Sequence, residues 1–275
     1  APGQFEFAPN FGSMTTQIDQ NLLVMQIIDE VAKDYGLAAL FTEKPFDGVN
    51  GSGKHNNWSL ALDDGTNLLN PKDCQAKTGS TDLFAIVMAA IIKGVDEHGD
   101  LMRLSISSPG NDFRLGACEA PPAIMSMYLG EEITTYLQNW ANDGTSQLKL
   151  EQQEMSTGAS GLAKIKKPSG DRNRSSPFPY GGNRFEFRAV GSSQNVSIVN
   201  MILAAIVSKS FKEFSEQIEQ GKSAKEVAQA ALKKHMKVIF NGNGYSEAEQ
   251  ERLTREGYTR IDSGVEAINN FTDPK

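Results

Sequence analysis

Cysteine is scarce in these 275 residues: there are two, Cys74 and Cys118, far apart and outside any CxxC pair. That pattern supports neither a cysteine-based zinc site nor a disulfide framework, and it reads as ordinary reduced thiols in a cytoplasmic protein. Long apolar runs are missing as well, and none approaches the roughly 18 residues that read as a membrane span. Residues 1–14 contain no basic segment leading into an apolar one, so no signal peptide is read there. The first residue is Ala1 and not methionine, which suggests a piece of a longer polypeptide. Positive charge is not in excess. Lys and Arg total 27 against 34 Asp and Glu, for a net charge of −7. This excludes a nucleic-acid binder that relies on phosphate neutralisation. Internal repeats and sustained heptads are also absent.

Hydrophobic residues make up 39% of the chain, enough for one large core or two small ones. Phe5, Glu6 and Phe7 alternate as in a strand over residues 1–12. A helix is predicted from Thr15 or Thr16 to about Tyr35. Ile18, Leu22, Met25, Ile28 and Val31 form its core face, and Gly36 stops it. Residues 37–41 read as a short apolar strand, and residues 64–79 and 105–122 as loops. A helix starts at Ser80 or Thr81 and runs to about Glu97, and another spans residues 131–142. Residues 143–183 offer no long element and are expected to form a mobile loop. A strand follows at 183–189, with Phe185, Phe187 and Ala189 on one side and Arg184, Glu186 and Arg188 on the other. Residues 196–220, 223–235, 247–256 and 265–270 read as helices. Mixed strands and helices followed by a helical C-terminal part indicate an α+β fold. His98 and His235 read as solvent-facing.

The stretch with the most chemistry is Phe46-Asp-Gly-Val-Asn-Gly-Ser-Gly-Lys-His-Asn-Asn-Trp-Ser-Leu-Ala-Leu62. Gly48, Gly51 and Gly53 permit close backbone approach to a ligand. His55, a metal-ligand residue type, follows at once, and a strand is read from Trp58. Gly48 to Lys54 satisfies G-x-x-x-x-G-K. A P-loop needs Ser or Thr next and then a helix, whereas here His55 and a strand follow. Taken alone, the stretch leaves two readings open: a ligand site, or a glycine turn carrying a surface histidine.

Asn50-Gly-Ser-Gly-Lys-His-Asn-Asn-Trp-Ser59, preceded by Glu43-Lys-Pro-Phe46, resembles the glutamate- and metal-binding segment of glutamine synthetases, in the form of the type III class. Three further stretches match in the same order. They are Gly3-Gln-Phe-Glu-Phe-Ala-Pro9, Arg114-Leu-Gly-Ala-Cys-Glu-Ala-Pro-Pro122, and Arg172-Asn-Arg-Ser-Ser-Pro-Phe178 with Asn183-Arg-Phe-Glu-Phe-Arg188. Lys237-Val-Ile-Phe-Asn-Gly-Asn-Gly-Tyr245 extends the likeness towards the C-terminus. The resemblance implies a curved, mainly antiparallel sheet backed by helices, with residues 1–275 forming an incomplete catalytic domain. The N-terminal β-grasp domain, one metal-binding glutamate before residue 1 and a C-terminal extension would lie outside it.

The same resemblance implies ATP-dependent ligation of ammonia to L-glutamate with two divalent ions, Mg²⁺ or Mn²⁺. Glu6, His55 and Glu186 would be metal ligands. Asn50, Gly51 and Arg114 would bind glutamate. Phe11, Asn57, Ser59 and Arg184 would lie on the nucleotide side. Arg174 and Arg188 would act on the transferring phosphoryl group, and Glu119, on a loop stiffened by prolines, would take a proton from ammonium. Family members form homo-oligomers of stacked hexameric rings. The alternative is a truncated, non-catalytic relative that acts as a nucleotide-binding assembly or regulatory protein.

Overall fold

A central helix organises the computed structural model, which describes residues 3–149, 154–155, 165–166 and 174–272. In chain order the elements are α1 (Met14–Asp34), β1 (Gly53–Trp58), α2 (Pro71–Thr78), α3 (Asp82–Glu97), α4 (Gly99–Leu104), α5 (Pro109–Arg114), β2 (Met127–Tyr128), α6 (Gly130–Asp143), β3 (Glu154–Met155), β4 (Ile165–Lys166), β5 (Phe178–Pro179), β6 (Phe185–Gly191), α7 (Ser197–Glu219), α8 (Ala224–His235), a 3-10 turn (Met236–Val238), α9 (Glu247–Arg255) and α10 (Gly264–Thr272). The mixture is α+β. No helix among the described residues is long and apolar enough to cross a membrane.

α3 is the core helix because nearly every side of it is apolar: Phe84, Met88, Ile91 and Ile92 are fully buried. It packs on α7 and α8. Short polar residues punctuate the chain around it. Ser223 and Glu226 form a reciprocal capping box at the start of α8. Asn70 caps α2, Pro71 begins it, and Gly79 ends it in the left-handed conformation. These signals lie in a polar stretch read above as loop, so α2 is a correction. Likewise α5 interrupts the expected loop at 105–122, with Ser108 as its cap and Pro109 as its first residue.

β1 and β6 pair antiparallel, from Gly53 opposite Gly191 to Trp58 opposite Phe185. The strand therefore ends at Trp58, where the sequence had suggested it began. Lys54 pairs with Val190 and Asn56 with Phe187, so Arg188 and Ala189 together oppose His55. Such a bulge increases local twist and re-aims side chains. Behind the ribbon, Trp58, Phe178 and Phe185 stack with ring centroids 4.8–6.0 Å apart. Phe185, Phe187 and Ala189 are buried on that side, following the expected alternation.

Among the described residues the sheets are two-stranded: β1–β6, the parallel pair β2–β5, and β3–β4. The single curved antiparallel sheet is therefore not seen in them. Residues 4–13 and 37–42 form no strand, because among the described residues no strand pairs with them. Phe5 is 94% exposed. α1 forms as predicted, but none of its residues is buried and Leu22, Ile28 and Val31 are exposed. Periodicity built that helix; among the described residues its apolar face is only partly covered, with Lys54 Nζ 3.1 Å from the half-buried Met25 Sδ. About half of the expected mobile loop, 150–153, 156–164 and 167–173, lies outside the described residues, and the rest carries the short strands β3, β4 and β5. His235 is buried, not solvent-facing, with Nδ1 2.7 Å from Asp96 Oδ2.

Candidate functional site

The outward face of the β1–β6 ribbon carries His55, Asn57, Glu186 and Arg188. His55 Nδ1 lies 3.6 Å from Glu186 Oε1, and Arg188 Nε donates to the same oxygen. Burial lowers the His55 pKa; Glu186 opposes this, while Arg188 and Arg114 add to it. The imidazole is thus held towards its neutral, ligand-competent form. Burial would raise the Glu186 pKa, but its bond to Arg188, with His55 and Asn57, outweighs that and leaves it lowered. A neutral imidazole beside an ionised carboxylate suits a divalent cation. Glu6, in the irregular segment before α1, is near enough for its charge to act on His55 but does not join the pair. Among the described residues no group of three metal-ligating side chains forms.

Arg184 Nε donates to Asn57 Oδ1 at 3.0 Å, so these two nucleotide-side candidates meet at the ribbon's end. Ser59 is half-buried just beyond β1. Phe11 is 89% exposed and stands apart from them. Lys54 lies within β1, where its ammonium donates to Gln194 O, so it does not open a helix as a P-loop lysine must.

Arg114, at the end of α5, is buried beneath the ribbon. Its guanidinium donates to Asn111 Oδ1 at 3.0 Å, Val190 O at 3.1 Å and Arg188 O at 2.9 Å. Burial, opposed by the charge of Glu43, pushes its pKa down to about 10. The same guanidinium lies against Gly53, where a Cβ would overlap it. A Cβ on Gly51 would overlap the carbonyl of Glu43. The glycines are therefore needed for close approach, and Asn50 stays exposed beside them.

Glu119 and Arg174 face each other across two loops, with Arg174 Nη1 3.3 Å from Glu119 Oε1. The hydroxyl of Tyr245 lies 2.7 Å from Glu119 O and 3.1 Å from Arg174 O. Burial raises the Tyr245 pKa, and the charge of Glu119 adds to this.

Two residues here were not singled out by sequence reasoning. One is Tyr245, quoted only as the end of a matching stretch. The other is Glu43, whose buried carboxylate accepts from Ser193 N at 3.0 Å and Ser193 Oγ at 2.6 Å. Its carbonyl also accepts from Ser52 N at 2.7 Å, tying the glycine turn to the end of β6. Its place in Glu43-Lys-Pro-Phe46 was the available signal. An open cleft of about 1040 Å³ is lined by Phe240, Asn243, Arg252 and Tyr258, and by none of the candidate site residues.

Two family descriptions match the chain: "Glutamine synthetase, catalytic domain" over residues 1–108 and "Glutamine synthetase C-terminal domain" over residues 223–275. Among its relatives is a protein of Dictyostelium discoideum named type-3 glutamine synthetase. It is 44% identical over 282 residues, which cover 100% of this chain and 38% of the relative. A glutamine synthetase of Bacteroides fragilis is 39% identical, covering 99% of this chain and 38% of its own. One from Butyrivibrio fibrisolvens is 37% identical, covering 95% and 37%. The chain thus spans well under half the length of these relatives. Similarity that runs through every stretch forming the ribbon and the two facing loops, with family matches at both ends, places the chain in the glutamine synthetase family.

Proposed function

We propose that this chain belongs to an enzyme that joins ammonia to L-glutamate at the expense of ATP, giving L-glutamine, ADP and phosphate. The observation that carries the reading is the ribbon face on which His55 and Glu186 stand 3.6 Å apart beside Arg188. That face offers an imidazole, a carboxylate and guanidinium groups to a phosphate-bearing substrate. Of the two divalent ions, Mg²⁺ or Mn²⁺, one would be held by His55 and Glu186 and the other served by Glu6. When bound, they would offset charge on the attacking and leaving oxygens.

In the proposed reaction the γ-carboxylate of glutamate attacks the γ-phosphorus of ATP, and ADP leaves. Arg188 and Arg174 neutralise the transferring phosphoryl group, and Arg184 with Asn57 orients the nucleotide. Glu119 takes a proton from ammonium. The ammonia formed attacks the γ-carbonyl carbon of γ-glutamyl phosphate, and phosphate departs. Asn50, Gly51 and Arg114 would hold glutamate, with Arg114 working from its anchorage under β6. In the whole protein the ribbon would be part of a larger curved sheet. The protein would be cytoplasmic, with sites completed in a homo-oligomer of stacked hexameric rings.

A second reading, a non-catalytic nucleotide-binding assembly or regulatory relative, is favoured by one observation: Glu6 stands outside the His55–Glu186 pair. The test measures γ-glutamyl transfer and ATP-dependent glutamine formation, with Mg²⁺ and with Mn²⁺, on the 275-residue chain and on an N-terminally extended form. Glutamine formed by either, and lost in His55→Ala, supports the enzyme. Unchanged activity in His55→Ala sinks the ligand role. Nucleotide binding without turnover in both forms supports the second reading.

A further inference from the structure

Tyr245 stands where three segments meet, and its hydroxyl has a single proton to share between the carbonyls of Glu119 and Arg174. The loop that presents it is itself held. Asn243 Oδ1 accepts from Tyr245 N at 3.1 Å, and Gln250 of α9 donates to Gly244 O at 2.9 Å. Gly244 N donates to Ser175 Oγ at 2.8 Å, and a Cβ on Gly244 would lie 2.9 Å from Ser175 O. The 243–246 loop is therefore pressed backbone to backbone against the Arg174 segment.

The Glu119 loop is a stiff turn. Gly116 N donates to Pro121 O, Ala117 N to Arg114 O, and Ala120 N to Ala117 O, at 2.9–3.1 Å. Such a turn moves as one piece. The Glu119–Arg174 ion pair and Tyr245 both tie it to the Arg174 segment. The ion pair is long and both of its side chains are mostly exposed, so it contributes little. The phenolic hydroxyl, 2.7 Å from the Glu119 carbonyl on a residue 37% exposed, is the firmer tie.

We propose that Tyr245 is a positioning residue, a latch from the C-terminal part of the chain that holds the Glu119 loop closed against the Arg174 segment. The latch rests on the ligase reading above: a closed loop keeps Glu119 beside the incoming ammonium and keeps water out. With the loop free, water oxygen attacks the γ-carbonyl carbon of γ-glutamyl phosphate. A C–O bond forms, the bond from that carbon to the bridging oxygen breaks, and phosphate leaves with the electron pair. One of the water protons passes to the departing phosphate and the other to solvent, glutamate is regenerated as its carboxylate, and ATP has been consumed without product.

Tyr245→Phe removes the hydroxyl and keeps the ring. Amide hydrogen exchange on the 275-residue chain should then quicken about fivefold at residues 115–122, the effect of losing one hydrogen bond of ordinary net strength. Residues 174–178 should quicken with them, and α3 and α7 should not change. Unchanged exchange at 115–122 overturns the latch, and so does uniform loosening of the whole chain. In whichever form makes glutamine, the variant should release more than one phosphate per glutamine. An equal fall in both products overturns the latch in favour of a merely structural role. Absence of both products in the parent protein defeats the ligase reading, and the exchange result then judges the latch by itself.

Discussion

A Cβ at residue 53 would occupy the place of the Arg114 guanidinium. That guanidinium satisfies the carbonyls of Arg188 and Val190 and the side chain of Asn111 inside the protein. Gly53→Ala must push it aside and leave buried acceptors without their donor. A loss of about 2–3 kcal/mol in unfolding free energy is expected, readable by denaturant titration. A loss under about 0.5 kcal/mol would mean that Arg114 moves at no cost and that the close approach is incidental. The three glycines of this turn were legible as a place of close approach. What approaches was not legible, because Arg114 lies far along the chain and reaches Gly53 only through the packing of α5 under β6.

At the scale of elements, the junction of α3 and α7 is held by charge at its rim. Lys93 Nζ reaches Glu213 Oε2 at 2.6 Å and also pairs with Glu97, and Lys209 Nζ reaches Glu213 Oε1 at 2.5 Å. The bonds from Lys209 and Lys93 hold the Glu213 pKa down at about 2. A carboxyl depressed in the folded state stabilises it fully above the ordinary carboxylate pKa, and that contribution is lost as pH falls towards about 2. Glu213 is about a third exposed, so the contribution is about 1 kcal/mol or less. Glu213→Gln should lower the melting temperature at pH 7 and lower it by much less at pH 2.5, where most of the contribution has been lost. An equal loss at both pH values would assign the effect to packing. The helices themselves were readable from period and caps. α2 and α5 were not, since each is shorter than the window in which an apolar period can be recognised, although Asn70-Pro71 and Ser108-Pro109 announced their starts.

Across the whole molecule, Arg103 ties the C-terminal helix to the rest. It is fully buried, donating to Ile261 O at 2.7 Å and to Asp112 Oδ1 at 2.7 Å, while Asp112 Oδ2 accepts from Gly264 N at the start of α10. Arg103→Met leaves Asp112 and the Ile261 carbonyl without their partner, at an expected cost of about 3 kcal/mol or more. Proteolysis should then begin near residues 261–272 at protease levels the parent chain resists. Unaltered resistance there would show that α10 is held by its other contacts.

The sequence by itself determined the longer helical runs, the alternation of β6 and the family, because each rests on residue types at short, fixed spacing. Only the tertiary structure decided which faces are covered. α1 has the right period yet has no buried residue, and residues 4–13 alternate yet find no partner strand among the described residues. His235, set among lysines in the sequence, is buried against Asp96. Burial and strand pairing depend on what lies opposite, and what lies opposite comes from distant parts of the chain. The same reason hid Tyr245. A tyrosine after Asn-Gly-Asn-Gly is an ordinary loop residue until folding brings its hydroxyl to the carbonyls of Glu119 and Arg174.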